Sequence, residues 1–356
     1  MSTDFLPVSR KDMEERGIEQ LDFVYVIGDA YVDHPSFGHA IISRLLEAHG
    51  FRVGIISQPD WKDEKSISIL GKPRLGFLVS AGNMDSMVNH YTAAKRRRSD
   101  DAYTPGNRSG ARPDMPTIVY TKILKELFPD TPVIIGGIEA SLRRFTHYDY
   151  WKDSLKPSIL YESQADMLVY GMGEKPLTEI CRMLQRGIPF QSLTNIPQTS
   201  VIRHKDEKYA TNKKWQTIML ASHEECLSDK RKYAMNFRYI EEESNSIHAA
   251  KLVQPIGDEL IIVNPPYPPM STTEIDAINS TEQENVGQKM DVYQSLKMLK
   301  EVERTCITLF YMEDISIDKI AGIVGVPSGT VKSHLSRGKE KLATYLKQNG
   351  YDRNRQ

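Results

Sequence analysis

The sequence predicts two unlike parts: a doubly wound α/β domain, followed by a small all-α helix-turn-helix domain. Three observations carry this. From Leu21 to about Arg186, short unbroken apolar runs alternate with amphipathic stretches, as parallel strands buried on both faces and joined by helices do. Asn264–Thr273 then holds four prolines, which excludes helix and central strand. After Ala277–Gly287, a polar stretch without apolar period, the pattern is helical to the end.

Residues 1–20 are polar and charged and read as an N-terminal arm. Leu21–Gly28 reads as a buried strand. Gly38–Gly50 carries Ile41, Ile42, Leu45, Leu46 and Ala48 at helical spacing, with Gly50 as the stop. Arg52–Gln58 and Leu75–Ala81 are further strands. Lys95–Asp114 is nearly free of aliphatic residues and contains Lys95, Arg96, Arg97, Arg98, Arg108 and Arg112. A solvated loop is expected there, with phosphate contact as the alternative. Thr117–Phe128 follows as helix, Pro132–Gly137 and Met167–Gly171 as strands, and Leu177–Arg186 as helix. Past Asn195 the periodicity weakens. Lys213–Ser246 reads as a charged helix and Glu259–Val263 as a short strand. The expected limits are 1–20 for the arm, 21–263 for the α/β domain, 264–287 for a linker and 288–356 for the helical domain.

An apolar share of 40% in 356 residues supplies two cores. A net charge of −1 identifies no partner. Cys181, Cys226 and Cys306 stand 45 and 80 positions apart, with no CxxC or CxxxCxxC spacing. Neither a disulfide framework nor a cysteine-held cluster is expected, and a reducing compartment fits. No apolar run approaches the ~20 residues that span a membrane, and the N-terminus lacks a signal-peptide core. A cytoplasmic location without membrane contact is expected.

The most specific signal lies in Ser316–Leu346. Ser316 can cap a helix in which Ile317, Ile320, Ala321 and Val324 form one apolar face. Gly325 suits a tight turn, Val326 a plug between helices, and Ser328 a second cap. Val331, Leu335 and Leu342 would face inward. Thr330, Lys332, Ser333, Arg337 and Lys341 would stay outside, where such residues bond phosphates and base edges. From Ser328 to Gln356 seven basic residues face two acidic ones, a net +5 with histidine neutral. A basic stripe on the second helix is what a major-groove reader needs. A helical hairpin for protein contacts is the alternative.

Asp291–Tyr351 resembles region 4 of extracytoplasmic-function sigma factors. The matching residues are the run Arg304–Tyr311, the pair Glu313-Asp314, Ile320-Ala321 and the run Gly329–Arg337. The resemblance implies promoter DNA as partner, read at the −35 element, and core RNA polymerase, through its flap region, as a second partner. It would place Ser328, Thr330, Lys332, Ser333 and Arg337 on DNA. His334 falls in the same run but often corresponds to an arginine. Gly338 often corresponds to alanine, and glycine there costs up to ~1 kcal/mol of helix propensity. Nothing in residues 1–276 resembles region 2, which an initiating sigma factor also needs.

In the α/β part, Asp29, Asp33, His34 and Ser36 follow the first strand, at the edge where doubly wound sheets bind ligands. They serve equally well as ligand contacts or as caps and turn formers. Asp33-His34-Pro35-Ser36-Phe37-Gly38 invites comparison with the DxHxxG motif of cobalamin proteins. Here the histidine directly follows the aspartate, so a cobalt ligand is not expected. Gly136-Gly137-Ile138-Glu139 and Gly171-Met172-Gly173-Glu174 are strand-end turns that can offer backbone N–H groups to an anion. Packing turns give the same pattern.

Together, residues 20–276 resemble the N-terminal part of the YgiQ-type radical SAM proteins. The resemblance rests on Gly28–Gly38, Gln58–Trp61, Ser80–Val88, Gly136–Arg144 and Asn264-Pro265-Pro266. It implies a cobalamin-binding-like Rossmann domain ahead of a radical SAM barrel. It also implies a [4Fe–4S] cluster and S-adenosylmethionine, bound through a CxxxCxxC motif that this sequence does not contain. Neither these cofactors nor cobalamin are therefore expected on this chain, and no catalytic residues are assigned. Candidate cofactor contacts are Asp29, Asp33, His34, Gly136, Gly137 and Gly173. The functional expectation is DNA binding by a fusion or truncated chimera without catalysis. The alternative is an iron–sulfur enzyme fragment whose catalytic part is elsewhere.

Overall fold

The computed structural model describes residues 5–275, 299–311 and 315–348. The chain divides into two compact units, 1–285 and 286–356.

In the first unit, a short helix α1 (Arg10–Glu15) precedes β1 (Phe23–Ile27), and α2 (Gly38–Ala48) leads to β2 (Val53–Ser57). After α3 (Glu64–Ile67) come β3 (Gly76–Ser80), α4 (Ser86–His90), α5 (Pro116–Leu127), β4 (Val133–Gly136) and α6 (Gly137–Leu142). A hairpin, β5 (His147–Asp149) and β6 (Ser154–Lys156), is followed by α7 (Ile159–Ser163), β7 (Met167–Val169) and α8 (Glu174–Gln185). The unit continues through β8 (Thr199–His204), β9 (Thr217–Met219), α9 (His223–Ser228), α10 (Lys230–Ser244), β10 (Lys251–Ile256) and β11 (Glu259–Val263).

Nine strands form one sheet among the described residues, in the order β2-β1-β3-β4-β7-β8-β11-β10-β9. The first five pair in parallel, as expected. Winding reverses between β1 and β3, the switch point of a doubly wound sheet. Alternate side chains of β1 explain why its run is apolar without a break. Phe23, Tyr25 and Ile27 join the core under α2 and α8. Val24 and Val26 join the core under α3, α5 and α7.

Beyond β7 the expectation needs correcting, because β8, β10 and β11 extend the sheet with antiparallel pairing. The charged helix expected over Lys213–Ser246 is a strand followed by two helices, broken at Asp229, which caps α10 with its side chain. The proline-rich segment also begins as packed structure. The Asn264 side-chain amide donates to the carbonyls of Thr194 and Ile196 at 3.0 and 2.9 Å. Gln198 N–H donates to Pro265 O at 2.8 Å.

The second unit has three described helices: α11 (Glu301–Tyr311), α12 (Ile317–Val324) and α13 (Ser328–Gln348). Cys306, Ile307, Ile320, Val331 and Leu335 form its core, with Val326 packed against them. Gly325 ends α12 at φ 72°, a left-handed value that glycine adopts without steric cost.

Candidate DNA interface and sheet-edge crevice

The helical unit is built around the turn at Gly325. Ser316 takes the N-cap position of α12 with extended backbone, but its hydroxyl makes no capping bond. At 100° per residue, Val331, Leu335, Gly338 and Leu342 share one side of α13, which packs on the core. Lys332, Ser333, Ser336 and Arg337 are exposed and turn away from it. Arg337 is steered by its neighbours: its Nε donates to Ser333 O at 3.2 Å, and an Nη lies 3.4 Å from His334 Nδ1. Thr330 and His334 are half-buried along the flank.

Two residues expected on DNA are committed within the unit. Ser328 is the first residue of α13 rather than its cap, and its hydroxyl donates to Asp318 Oδ1 at 2.8 Å. Lys341 Nζ reaches Glu303 Oε2 at 2.7 Å, and this ammonium holds the Glu303 carboxyl below its usual range. The periodic stripe Thr330, His334, Arg337, Lys341 therefore curves from the free face onto α11.

At the switch point, Asp29, one of the candidate cofactor contacts, is engaged inside the fold. Its side chain is fully buried and pairs with Arg112, while Asn83 N–H donates to Oδ2 at 2.7 Å. Arg112 also donates to Ala81 O at 2.9 Å and to Asp101 Oδ1 at 3.2 Å. Gly82 has φ +113°, and a Cβ there would lie 2.1 Å from the Asp29 carboxyl carbon. The chain fills the switch point with its own ions. Arg112 belongs to the stretch expected to be a solvated loop, yet it is 1% exposed. The tip residues of that loop, Lys95–Asp100 and Pro105–Ser109, do lie exposed.

Asp33 is likewise an internal partner, paired with Arg44 of α2. His34 is exposed, and its Nδ1 accepts the Ser36 N–H at 3.1 Å, a local turn contact. Gly136, Gly137 and Gly173 are brought together. They line a crevice of about 310 Å³ where β1, β3, β4 and β7 end. Its walls include Tyr25, Ile42, Leu78, Ile134 and Leu177, and Glu174 stands in its lining. Glu139 and Glu174 are buried acids in turns that the sequence singled out without giving either carboxyl a role. Their signal was visible: each follows a glycine turn at a strand end.

The cysteines do not fit an iron–sulfur cluster. Cys181, on α8, faces the core, Cys226 lies against Asn236 of α10, and Cys306 lies in the core of the helical unit. Burial pushes the Cys181 thiol up to about 12. Among the described residues no group of three or more His, Cys, Asp or Glu side chains could hold a metal ion. No described helix is long and apolar enough to cross a membrane.

Comparison with known proteins gives two family matches. Residues 5–304 match the radical SAM N-terminal model, and residues 289–342 match sigma-70 region 4. A UPF0313 protein of Porphyromonas gingivalis is 54% identical over 311 residues, covering 85% of this chain and 49% of the relative. Corresponding proteins of Bacteroides thetaiotaomicron and Geobacter sulfurreducens are 48% and 46% identical, each over 85% of this chain and 52% and 50% of theirs. The chain thus spans about half the length of these relatives. A solved structure of RcsB dimers bound to DNA aligns at 12% identity with a TM-score of 0.24, over 91% of this chain and 92% of that one. That value is too low to carry an argument. With the radical SAM N-terminal model matched over most of its length, the chain belongs to the radical SAM N-terminal family and carries a sigma-70 region 4 match near its C-terminus.

Proposed function

We propose that this chain binds promoter DNA through the first half of α13, and that it carries out no radical SAM chemistry of its own. The observation behind the first statement is the exposed face with Lys332, Ser333 and Arg337, set beyond a glycine turn on a packed three-helix core. That is the arrangement by which a recognition helix enters the major groove. The sigma-70 region 4 match supports the same reading, with core RNA polymerase as the second partner. The cysteine placement supports the second statement. A fusion of two coding sequences accounts for both, since the two matches meet within residues 289–304.

Binding of the full chain to a fluorescent promoter duplex tests the DNA reading. About four phosphate contacts give a log–log salt slope near −4, at roughly −0.9 per contact. Lys332→Ala combined with Arg337→Ala is expected to weaken binding at least tenfold and to flatten the slope by about 2. Unchanged binding by that variant, or affinity independent of salt, defeats it. Anaerobic reconstitution with iron and sulfide tests the second statement. Stoichiometric iron with cleavage of S-adenosylmethionine would overturn it.

A further inference from the structure

The crevice at the ends of β1, β3, β4 and β7 carries features that neither DNA binding nor packing uses. Its volume, about 310 Å³, lies at the lower end of the range for small-ligand pockets. Most of its wall is apolar: Tyr25, Ile42, Leu78, Ile134, Val169 and Leu177. Two polar elements interrupt that wall. The first is Glu174, 7% exposed, whose Oε2 is buried with no hydrogen-bond partner. A buried carboxyl group without a partner is costly, and an ammonium or hydroxyl donor would relieve it. The second is a pair of helix starts. The eleven-residue α2 begins at Gly38 and the twelve-residue α8 at Glu174, and neither N-cap residue, Phe37 or Gly173, caps with its side chain. The N–H groups of Gly38 and His39 at the start of α2, and of Glu174 and Lys175 at the start of α8, have no partner within the helix and favour an anion. Glu174 is itself the first residue of α8, so an acceptor of positive charge and donors to negative charge are adjacent.

We propose that this crevice binds a small zwitterion with an apolar body, of the α-amino acid class. The ammonium meets Glu174, the carboxylate meets the helix N–H groups, and the side chain lies against the aliphatic wall. Gly38 lines the crevice, its backbone accepts any residue, and a Cβ there meets nothing within 4 Å.

Calorimetric titration of the full chain tests this with L-leucine, L-methionine and L-phenylalanine. The deaminated and the decarboxylated analogue of each, for leucine 4-methylpentanoate and 3-methylbutylamine, serve as the comparison. At least one amino acid is expected to bind, and its two analogues at least tenfold more weakly. Glu174→Gln should weaken the amino acid at least tenfold. Gly38→Leu should abolish binding while leaving the melting temperature within a few degrees of wild type. Absence of heat with all three amino acids overturns the proposal. So does equal binding of either analogue, or unaltered binding by Glu174→Gln.

Discussion

Glu139 shows how one buried acid sets a pH dependence. Its side chain is fully buried, and Oε1 accepts the Thr117 N–H at 3.2 Å. Burial, with the nearby charge of Asp85 adding to it and Arg143 opposing, pushes its carboxyl from 4.5 up to about 7. The folded state therefore keeps a proton that the unfolded state has lost between these values. Stability from this group is complete below about 4.5, falls as pH rises, and is flat above about 7. The slope is about 1.4 kcal/mol per pH unit within that window. Urea unfolding of wild type and Glu139→Gln at several pH values should show the wild type alone losing this increment. Parallel curves would exclude it. Gly338 poses a second question at this scale. Helix propensity alone favours alanine by up to ~1 kcal/mol. A Cβ at Gly338, however, would lie 2.9 Å from Ile307 Cγ1, on a β-branched side chain with little freedom. Gly338→Ala is expected to give no stabilisation, and a melting temperature raised by several degrees would show that Ile307 yields.

Among the elements, α13 serves two tasks on two faces, and single substitutions should separate them. Lys341→Ala takes the partner from Glu303, whose side chain is 3% exposed, and should lower stability by about 1–3 kcal/mol, with DNA affinity nearly unchanged. Lys332→Ala should do the reverse, leaving the unfolding midpoint in place and weakening DNA binding. Loss of affinity in Lys341→Ala equal to that in Lys332→Ala would mean the free face extends further than the geometry indicates. The sequence foretold elements according to how strongly burial marks them. β1, β2, β3 and β4 are buried on both faces, so their runs are continuous and readable. β8 (TSVIRH) mixes polar and apolar residues, and β10 (KLVQPI) contains Pro255, so neither announces itself. Pro255 is tolerated because β9 pairs β10 only through Val253, leaving the edge open beyond it. The glycine turn and core of the helix pair were legible because their spacing is local. The Asp29–Arg112 pair was not, since its members are 83 positions apart and nothing local links them.

At the scale of the whole molecule, several exposed apolar residues stand on segments that follow the parallel strands. Val32 follows β1, Val88 follows β3, Ile138 and Leu142 follow β4, and Met172 follows β7, and all are exposed. Exposed apolar side chains can mark a surface that a partner covers, and the relatives are about twice as long as the matched part. Sedimentation velocity is expected to show association that rises with concentration and falls when Val88 and Leu142 are both changed to Glu. A monomer at all concentrations would mean that these residues need no cover. The ion cluster around Arg112 has its own consequence at this scale. It fastens the far end of a long excursion, whose exposed tips at Arg96–Arg98 and Arg108 are open to trypsin. Asp101 and Arg112 lie buried on either side of Arg108. A cut after Arg108 should therefore yield two polypeptides that elute together and melt as one, a protein severed in covalent terms yet intact as a folded body.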